Sequence, residues 1–345
     1  MQALRGDGAE EMKERRSPSE LEALWKEKDL SAGRTVDAMV VIMRTRGCSW
    51  AATGGCTMCG YRRASVKEVS ADDLGRQIDQ ALAAYEGEPF VKIYTSGSFL
   101  DDDEVPPAVR ERIFGEFATC ERILVESRPE FVTPERLATL PRTVTLALGL
   151  ESSDPEVLKR SVNKGFTPED SRRAGLAAKE AGLTVRTYLL LKPPFLTEGA
   201  AISDTVESAL FADGFSDEIS INPLNIQNGT LAERLWRRGE LRTPWLWSLV
   251  EVLRTLSDRV GARLMSSPSG GGSQRGAHNC GKCDKAVLAA VERFSLTQDP
   301  EDLDVACGCA ADWKRYIDAE RLLGTPADLE RGFDNELAIG KGDSS

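Results

Sequence analysis

Three cysteines lie close together in the segment RGCSWAATGGCTMCGYRR, which runs from Arg46 to Arg63. Cys48, Cys56 and Cys59 could ligate a metal: four thiolates close a zinc site, whereas three leave one iron of a [4Fe–4S] cluster open. Because no secretory segment and no run of about 18 apolar residues accompanies them, metal or redox chemistry is favoured over disulfides. We expect a [4Fe–4S] site in a cytoplasmic protein. The alternative is a structural zinc site with a distant fourth ligand.

Four further cysteines lie near the end of the sequence in two close pairs. HNCGKCD contains Cys280 and Cys283, and ACGC contains Cys307 and Cys309. This arrangement favours a closed tetrahedral zinc site that stabilises a small domain, with an auxiliary iron–sulfur cluster as the alternative. The single histidine of the chain, His278, is expected to be exposed and not to be a ligand.

Apolar periodicity predicts six buried strands that alternate with helices. The strands are expected at residues 35–43, 90–96, 122–127, 143–151, 183–191 and 217–224. Such alternation predicts an α/β fold with a parallel sheet, and six units would leave an open (β/α)6 partial TIM-like barrel. Chemistry in such a barrel belongs at the carboxyl ends of the strands, and the first cysteine set directly follows the first predicted strand.

The predicted barrel, residues 35–262, is flanked by segments of different composition. We expect a charged extension at 1–34 with one short helix after Ser17, a four-cysteine metal-binding domain at 263–320 after a flexible Ser/Gly segment, and a tail at 321–345.

Charge argues against a uniformly basic surface that binds nucleic acid, because the formal net charge is -11. Two basic islands, at 61–67 and 234–242, could contact phosphate, although solvated faces are the ordinary alternative. Cys120 stands apart from both cysteine sets and is expected to be a buried, inert thiol.

The first cysteine segment resembles the cluster loop of the radical S-adenosylmethionine (SAM) superfamily, which usually has the spacing C-x3-C-x2-C. The CTMCGY half matches well, while the longer C-x7-C spacing resembles the elongator-like branch. The resemblance extends over residues 35 to 262 and implies a [4Fe–4S] cluster and SAM as cofactors. It also implies radical chemistry, in which the reduced cluster cleaves SAM and a 5′-deoxyadenosyl radical abstracts a substrate hydrogen.

The same resemblance implies roles for residues at the strand ends. Met58 would contact adenine, and Ser96, Gly97 and Ser98 of the TSGSF segment would receive the SAM amino group. The charged pair Glu126 and Arg128 would lie near the methionyl moiety. Glu151 would contact ribose or a polar substrate. The structural alternatives are a turn, a surface ion pair and an acid at a helix N-terminus.

Five longer segments narrow the resemblance to the radical SAM family of archaeosine biosynthesis (RaSEA). They are MRTRGCSWAATGGCTMCGYRRAS, YTSGSFLDDDE, SVNKGFTPED, LLLKPPFLTEGAAISDT and NPLNIQNGT. The resemblance implies a lyase that cleaves a C–N bond in a lysine adduct of 7-cyano-7-deazaguanine in tRNA. Its implied partners are tRNA, a lysine-adding archaeosine synthase and an electron donor.

Residues at the ends of the fifth and sixth predicted strands are candidates for the substrate pocket. They are Tyr188, residues 192–195 and residues 222–227, with packing and turn formation as the alternative roles. Two other functions stay open: a radical SAM enzyme acting on another tRNA base or a small metabolite, and a non-catalytic protein that binds zinc and nucleic acid.

Overall fold

One eight-stranded sheet forms the centre of the computed structural model, which describes residues 17–63 and 65–323. The strands follow one another across the sheet in chain order, β1 antiparallel to β2 and all later neighbours parallel. They are β1 Ala23–Ser31, β2 Arg34–Ile42, β3 Phe90–Tyr94, β4 Arg122–Ser127, β5 Val144–Glu151, β6 Thr184–Leu191, β7 Glu218–Pro223 and β8 Arg263–Met265. All six predicted strands are present, and the open α/β half-barrel is confirmed with two additional strands.

Helices follow most of the parallel strands and cover the outer face of the sheet. They are α1 Ser49–Thr53, α2 Ala71–Ala84, α3 Pro107–Glu116, α4 Pro134–Leu137, α5 Pro168–Glu180, α6 Glu198–Asp213, α7 Leu231–Arg237, α8 Leu246–Leu256, α9 Asp284–Thr297 and α10 Cys309–Leu323. Capping boxes begin α2 and α5 at Ser70 and Thr167, so the sequence itself specifies where these helices start. No helix in the described part of the chain has the length and hydropathy of a transmembrane segment.

The expected N-terminal extension with a short helix is wrong for the residues that can be described. After a turn at residues 18–19 the chain forms β1, which pairs with β2 along its whole length. The charged residues of β1 hide the strand from a reading of apolar periodicity. Lys26 and Lys28 are exposed, whereas Glu27 and Asp29 face inward and both pair with Lys92. Residues 1–16 of the expected extension and residues 324–345 of the expected tail lie outside the described residues.

The expected separate C-terminal domain is also corrected. β8 begins at residue 263 and joins the sheet beside β7. Phe294 of α9 and Trp313 of α10 lie in the same buried apolar cluster as Phe215 and Leu253. Most of the four-cysteine segment therefore completes the core of the barrel rather than forming a core of its own.

A buried network of charges fills the concave side of the sheet at its base. The register places Arg186 of β6 opposite Glu218 of β7, and Glu218 opposite Arg263 of β8. Glu218 also accepts hydrogen bonds from both terminal nitrogens of Arg122, at 2.9 and 2.6 Å. Burial alone would raise the pKa of Glu218, but the charges of Arg186, Arg122 and Arg263 outweigh burial and hold it well below its usual range.

Asp29 of β1 closes this network from the opposite edge of the sheet. Its carboxylate lies 2.6 Å from Lys92, 2.8 Å from Arg263 and 3.4 Å from Arg186. Burial opposes its ionisation, yet these three cations hold its pKa far below the ordinary value. Both carboxylates are therefore ionised, and each depends on more than one partner.

We predict that Arg186→Met destabilises the protein strongly, because Asp29 and Glu218 would lose a shared partner in a buried site. The expected loss is about 3–5 kcal/mol in the free energy of unfolding. Urea unfolding of the variant measures it. The control is Arg172→Met, which removes an exposed i,i+3 pair with Glu169 and should cost less than about 1 kcal/mol. Equal stability of the two variants would contradict the role of the network.

Candidate active site

The first cysteine loop lies at the carboxyl end of β2, at the mouth of the half-barrel. Cys48 is the N-cap of α1, and Gly54 ends this helix of five residues. Gly55 then turns the chain with a positive φ of 76° and brings it to Cys56. The unusual C-x7-C spacing thus corresponds to one short helix and a glycine turn inserted between the first two thiols.

Trp50 anchors this inserted helix on the loop that follows β5. Its indole Nε1 donates to the carbonyl of Asn163 at 2.8 Å, and the Asn163 amide donates back to the carbonyl of Gly55 at 2.7 Å. Gly165 leaves room for the indole, since a Cβ there would lie 2.6 Å from the ring. The partner segment ends a π-helix, Val157–Val162, a feature often found at functional sites.

Gly97 provides the seat for Cys48. A Cβ at position 97 would lie 2.6 Å from Cys48 Cα and would overlap the Glu104 carboxylate. That carboxylate accepts hydrogen bonds from the Ser98 amide and the Thr45 hydroxyl, both at 2.5 Å. The absence of a side chain at Gly97 therefore allows the cluster loop to lie directly against the loop after β3.

The three thiols suit an iron–sulfur cluster in their chemistry and surroundings. Burial raises the pKa of Cys56 to about 11 and also raises that of Cys59. Lys164 and Arg128 are near enough to Cys56 for their positive charges to oppose this rise, and they could equally stabilise a negatively charged cluster.

Three polar side chains line the barrel interior above its base. Tyr94, Glu126 and Tyr188 occupy inward-facing positions on β3, β4 and β6, and the Tyr188 hydroxyl lies 3.4 Å from the Tyr94 hydroxyl. Burial raises the pKa of Glu126 to about 8, although the charge of Lys164 opposes the rise. Near neutral pH this carboxyl group can hold a proton or, beside a cation, release it.

Glu151 and Lys164 form a half-buried ion pair at the mouth, with Nζ 2.7 Å from Oε1. Lys164 crosses over Gly149, where a Cβ would lie 2.9 Å from Nζ. A bulge in the pairing of β5 and a φ of 71° at Glu151 turn this acid toward the lysine. Burial would lower the pKa of Lys164, but the carboxylate of Glu151 outweighs it and raises the pKa.

The other residues assigned to SAM lie around the cluster loop in different environments. Arg128 links the loop after β4 to the loop after β5: it pairs with Glu130 at 2.5 Å and donates to the Lys164 carbonyl at 3.1 Å. Ser98 is buried, whereas Ser96 and Gly97 remain partly accessible. Met58 packs against an apolar cluster that follows β6 and β7. The ligand contacts of all seven residues stay predictions.

The predicted substrate-pocket residues divide into two groups. Tyr188 faces the interior, and Gln227 accepts a hydrogen bond from the Gly60 amide at 2.5 Å, beside the cluster loop. Lys192 is instead buried outside the barrel, where its ammonium group lies 2.6 Å from Glu198 and 3.9 Å from Glu320. Its charge therefore fixes α6 to α10 and does not line the pocket.

Sequence reasoning assigned no role to Trp50, Glu104 or Lys164. Trp50 had one available signal, since a tryptophan in a loop rich in glycine needs a packing partner. Lys164 had none, because its pairing with Glu151 depends on a bulge that periodicity does not reveal.

The C-terminal thiols form a compact group in the part of the chain that the structure describes. The distances between sulfurs are 3.9 Å for Cys280 and Cys283, 3.8 Å for Cys280 and Cys307, and 3.6 Å for Cys283 and Cys309. His278 is not a member of the group: it is half-buried rather than exposed, and its Nδ1 lies 3.0 Å from the Gly276 carbonyl. The four thiols are therefore a group that could hold a metal ion without His278.

Comparison with known proteins gives consistent relationships. The chain matches the Radical SAM superfamily over residues 42–203. It is 42% identical over 318 residues to archaeosine synthase subunit beta of Methanosarcina acetivorans, which covers 88% of this chain and 92% of the relative. The protein of the same name from Thermococcus kodakarensis is 40% identical over 290 residues, covering 80% of this chain and 90% of the relative. A solved structure of queuine lyase from Clostridium spiroforme, bound to SAM and queuine, is 18% identical with a TM-score of 0.45, covering 62% of this chain and 87% of that chain.

We predict that Gly97→Ala lowers iron loading while the fold persists, because the added methyl group would displace Cys48 and the Glu104 carboxylate. Iron per chain after anaerobic reconstitution measures the loss, and circular dichroism monitors folding. Gly115→Ala is the matched control, since a Cβ there meets nothing within 4 Å. Full iron loading of the Gly97 variant would show that the close seat is not required.

Proposed function

The chain belongs to the archaeosine synthase subunit beta family of radical SAM enzymes, and we propose that it cleaves a C–N bond in a lysine adduct of 7-cyano-7-deazaguanine in tRNA. The product would carry the formamidine group of archaeosine. The observation that supports this proposal most directly is the half-buried trio of Cys48, Cys56 and Cys59 on the loop at the barrel mouth, near Glu126.

The residues at the mouth divide the work of such a reaction. Cys48, Cys56 and Cys59 would hold the cluster, and the accessible backbone at Ser96 and Gly97 would approach SAM. When bound, the cluster and SAM supply the one-electron cleavage that starts hydrogen abstraction. Most of the chain's own contribution is to hold the substrate in a site from which water is excluded.

Glu126 is the residue that we propose to face the lysine part of the substrate. Its carboxyl group lies in the interior with a pKa of about 8, so a neighbouring ammonium group would favour its ionised form. The Tyr94 and Tyr188 hydroxyls would border the same space. An amino acid side arm would thereby be oriented by one charge and two hydroxyl groups.

For the C-terminal thiols we propose a structural zinc ion. A tetrahedral site with Zn–S bonds of about 2.3 Å places its sulfurs about 3.8 Å apart. The three distances of 3.6 to 3.9 Å agree with a single shared ion. A four-iron cluster, which gives each thiolate its own iron, would separate the sulfurs further.

The partner subunit implied by the name of the relatives would supply the lysine adduct. We propose that this partner is the lysine-adding synthase, that an electron donor reduces the cluster, and that the reaction takes place on tRNA in the cytoplasm.

We predict that Cys56→Ala abolishes iron loading at the barrel and formation of 5′-deoxyadenosine, while circular dichroism stays unchanged because the ligand lies on a loop. The assay uses anaerobically reconstituted protein, tRNA carrying the lysine adduct, and mass spectrometry of the nucleosides. Cys120→Ala is the control thiol variant, since Cys120 is buried beside Tyr85. A wild-type protein that forms 5′-deoxyadenosine but never archaeosine would contradict the proposed substrate.

We predict that Cys283→Ser removes zinc and lowers the melting temperature more than it lowers SAM cleavage, because the site stabilises the core rather than the cluster loop. Metal analysis should find one zinc and about four irons per wild-type chain. Cys120→Ala again serves as the control and should keep its zinc. Eight irons with no zinc would instead establish a second cluster.

A further inference from the structure

Two basic segments that are distant in the sequence meet at one side of the barrel mouth. Arg63 follows the cluster loop, and a Cβ on Gly229 would lie 2.6 Å from its Nε. Gly229 immediately precedes α7, whose exposed residues Arg234, Arg237 and Arg238 have the i, i+3 and i+4 spacing of one helical face. The fold thus brings Arg63 of the first basic island beside the segment that leads into the second.

Arg275 extends this surface from the loop after β8. Its Nη2 lies 2.8 Å from Asn228 Oδ1 and 3.1 Å from Glu233 Oε1, and its guanidinium group stacks over Trp236 at 5.1 Å from the ring centroid. We call the resulting surface the arginine rim. It consists of Arg63, Arg234, Arg237, Arg238 and Arg275.

The acids in contact with the arginine rim do not cancel its charge. Glu233 is buried and pairs with both Arg237 and Arg275, at 2.9 and 3.1 Å. Glu240 pairs with Arg238 at 2.7 Å. In the part of the chain that the structure describes, Glu233 is the acid that pairs with Arg237 and Arg275, and no ion pair involves Arg63 or Arg234. These four arginines therefore leave an excess of positive charge on a chain whose formal net charge is -11. An anionic polymer would therefore be directed to this side of the mouth.

The arginine rim is attached directly to the cluster loop. The Ala232 amide at the start of α7 donates to the Thr57 carbonyl at 3.2 Å, and the Gly60 amide donates to Gln227. Tyr61 is the next residue along the chain; it is 54% exposed, and its hydroxyl is hydrogen-bonded to Gln227. A partly exposed aromatic ring beside arginines is a surface on which a nucleic-acid base can stack.

We propose that the arginine rim binds the phosphate backbone of the RNA substrate, and that Tyr61 stacks on a nucleotide next to the one that enters the barrel. This inference rests on the proposed function, because it assumes a polynucleotide substrate. Phosphate contacts fix the position of an RNA, and a ring at the edge of the mouth would hold the chain where a nucleotide leaves the stack. A protein partner with an acidic face is the competing occupant.

The test compares two charge-reversal variants of the full-length, reconstituted protein. Arg63→Glu/Arg234→Glu/Arg237→Glu changes the arginine rim, and Arg172→Glu/Arg173→Glu/Arg259→Glu changes three exposed arginines on other elements. Fluorescence anisotropy with labelled tRNA is measured over a range of salt concentrations. We expect the rim variant to bind about 10- to 100-fold more weakly, with a salt slope smaller by about two to three, and the control to bind within about threefold of wild type.

Tyr61 is tested in the same assay. Tyr61→Ala should weaken tRNA binding by about 5-fold or more, whereas Tyr61→Phe keeps the stacking face and should bind like the wild type. Iron content and melting temperature of each variant exclude general unfolding.

Three results would overturn the inference, and they differ in what else they affect. Equal binding by the rim variant and wild type, with archaeosine still formed by wild type, would overturn the rim alone. Unchanged tRNA binding together with lost association of the purified synthase would assign the rim to the protein partner. If wild type neither binds tRNA nor converts it, the proposed function is wrong as well.

Discussion

The salt bridge between Asp29 and Arg263, 2.8 Å long, joins the first strand of the sheet to the last. β1 and β8 are the two edges of an open sheet and share no backbone hydrogen bonds, so side chains must set the distance between them. Asp29 also binds Lys92 of β3, which brings the middle of the sheet to the same point. Since buried ion pairs contribute little net stability after desolvation, we regard this network chiefly as the device that sets the curvature of the half-barrel. That curvature decides how close the strand ends come at the mouth.

Much of the fold could be predicted from the sequence because the buried strands are continuous runs of apolar residues. All six expected strands begin and end within about two residues of their predicted bounds, as in Arg122–Ser127. The two missed strands lack that signal for physical reasons. β1 carries Lys26, Glu27, Lys28 and Asp29 in succession, and β8 has only three residues. A run of charged residues predicts a loop when only the sequence is considered. The residues that pair with these charges lie on elements distant in the sequence, so their effect becomes visible only in the fold.

Those features of the candidate site that depend on the spacing of residues along the chain could be predicted from the sequence. Those that depend on contacts between distant segments could not. The thiol spacing pointed to Cys48, Cys56 and Cys59 without any structure. The close contact between Gly97 and Cys48 could not be predicted from the sequence. Gly97 is one of 30 glycines, and its role arises from the approach of two loops in the fold. The same holds for Lys164, whose partner Glu151 is turned toward it by a strand irregularity. Local patterns thus suggest which thiols are candidate cluster ligands, whereas the contacts that support them are found only in the fold.

The position of the four C-terminal thiols would link the lifetime of the folded protein to occupancy of the proposed zinc site. Cys283 and Cys309 are buried in the apolar cluster that also contains Phe215 of the barrel, and Cys309 accepts a hydrogen bond from the Trp247 indole at 3.2 Å. Cys307 and Cys309 follow Cys280 and Cys283 by more than 20 residues, so the four thiols come together only after α9 has packed on the core. A ligand that binds only the folded state stabilises it by mass action, and the open state is the one that proteases cut. If the proposed zinc ion occupies this site, its scarcity would change how many copies of the protein survive, and not the turnover rate of each copy.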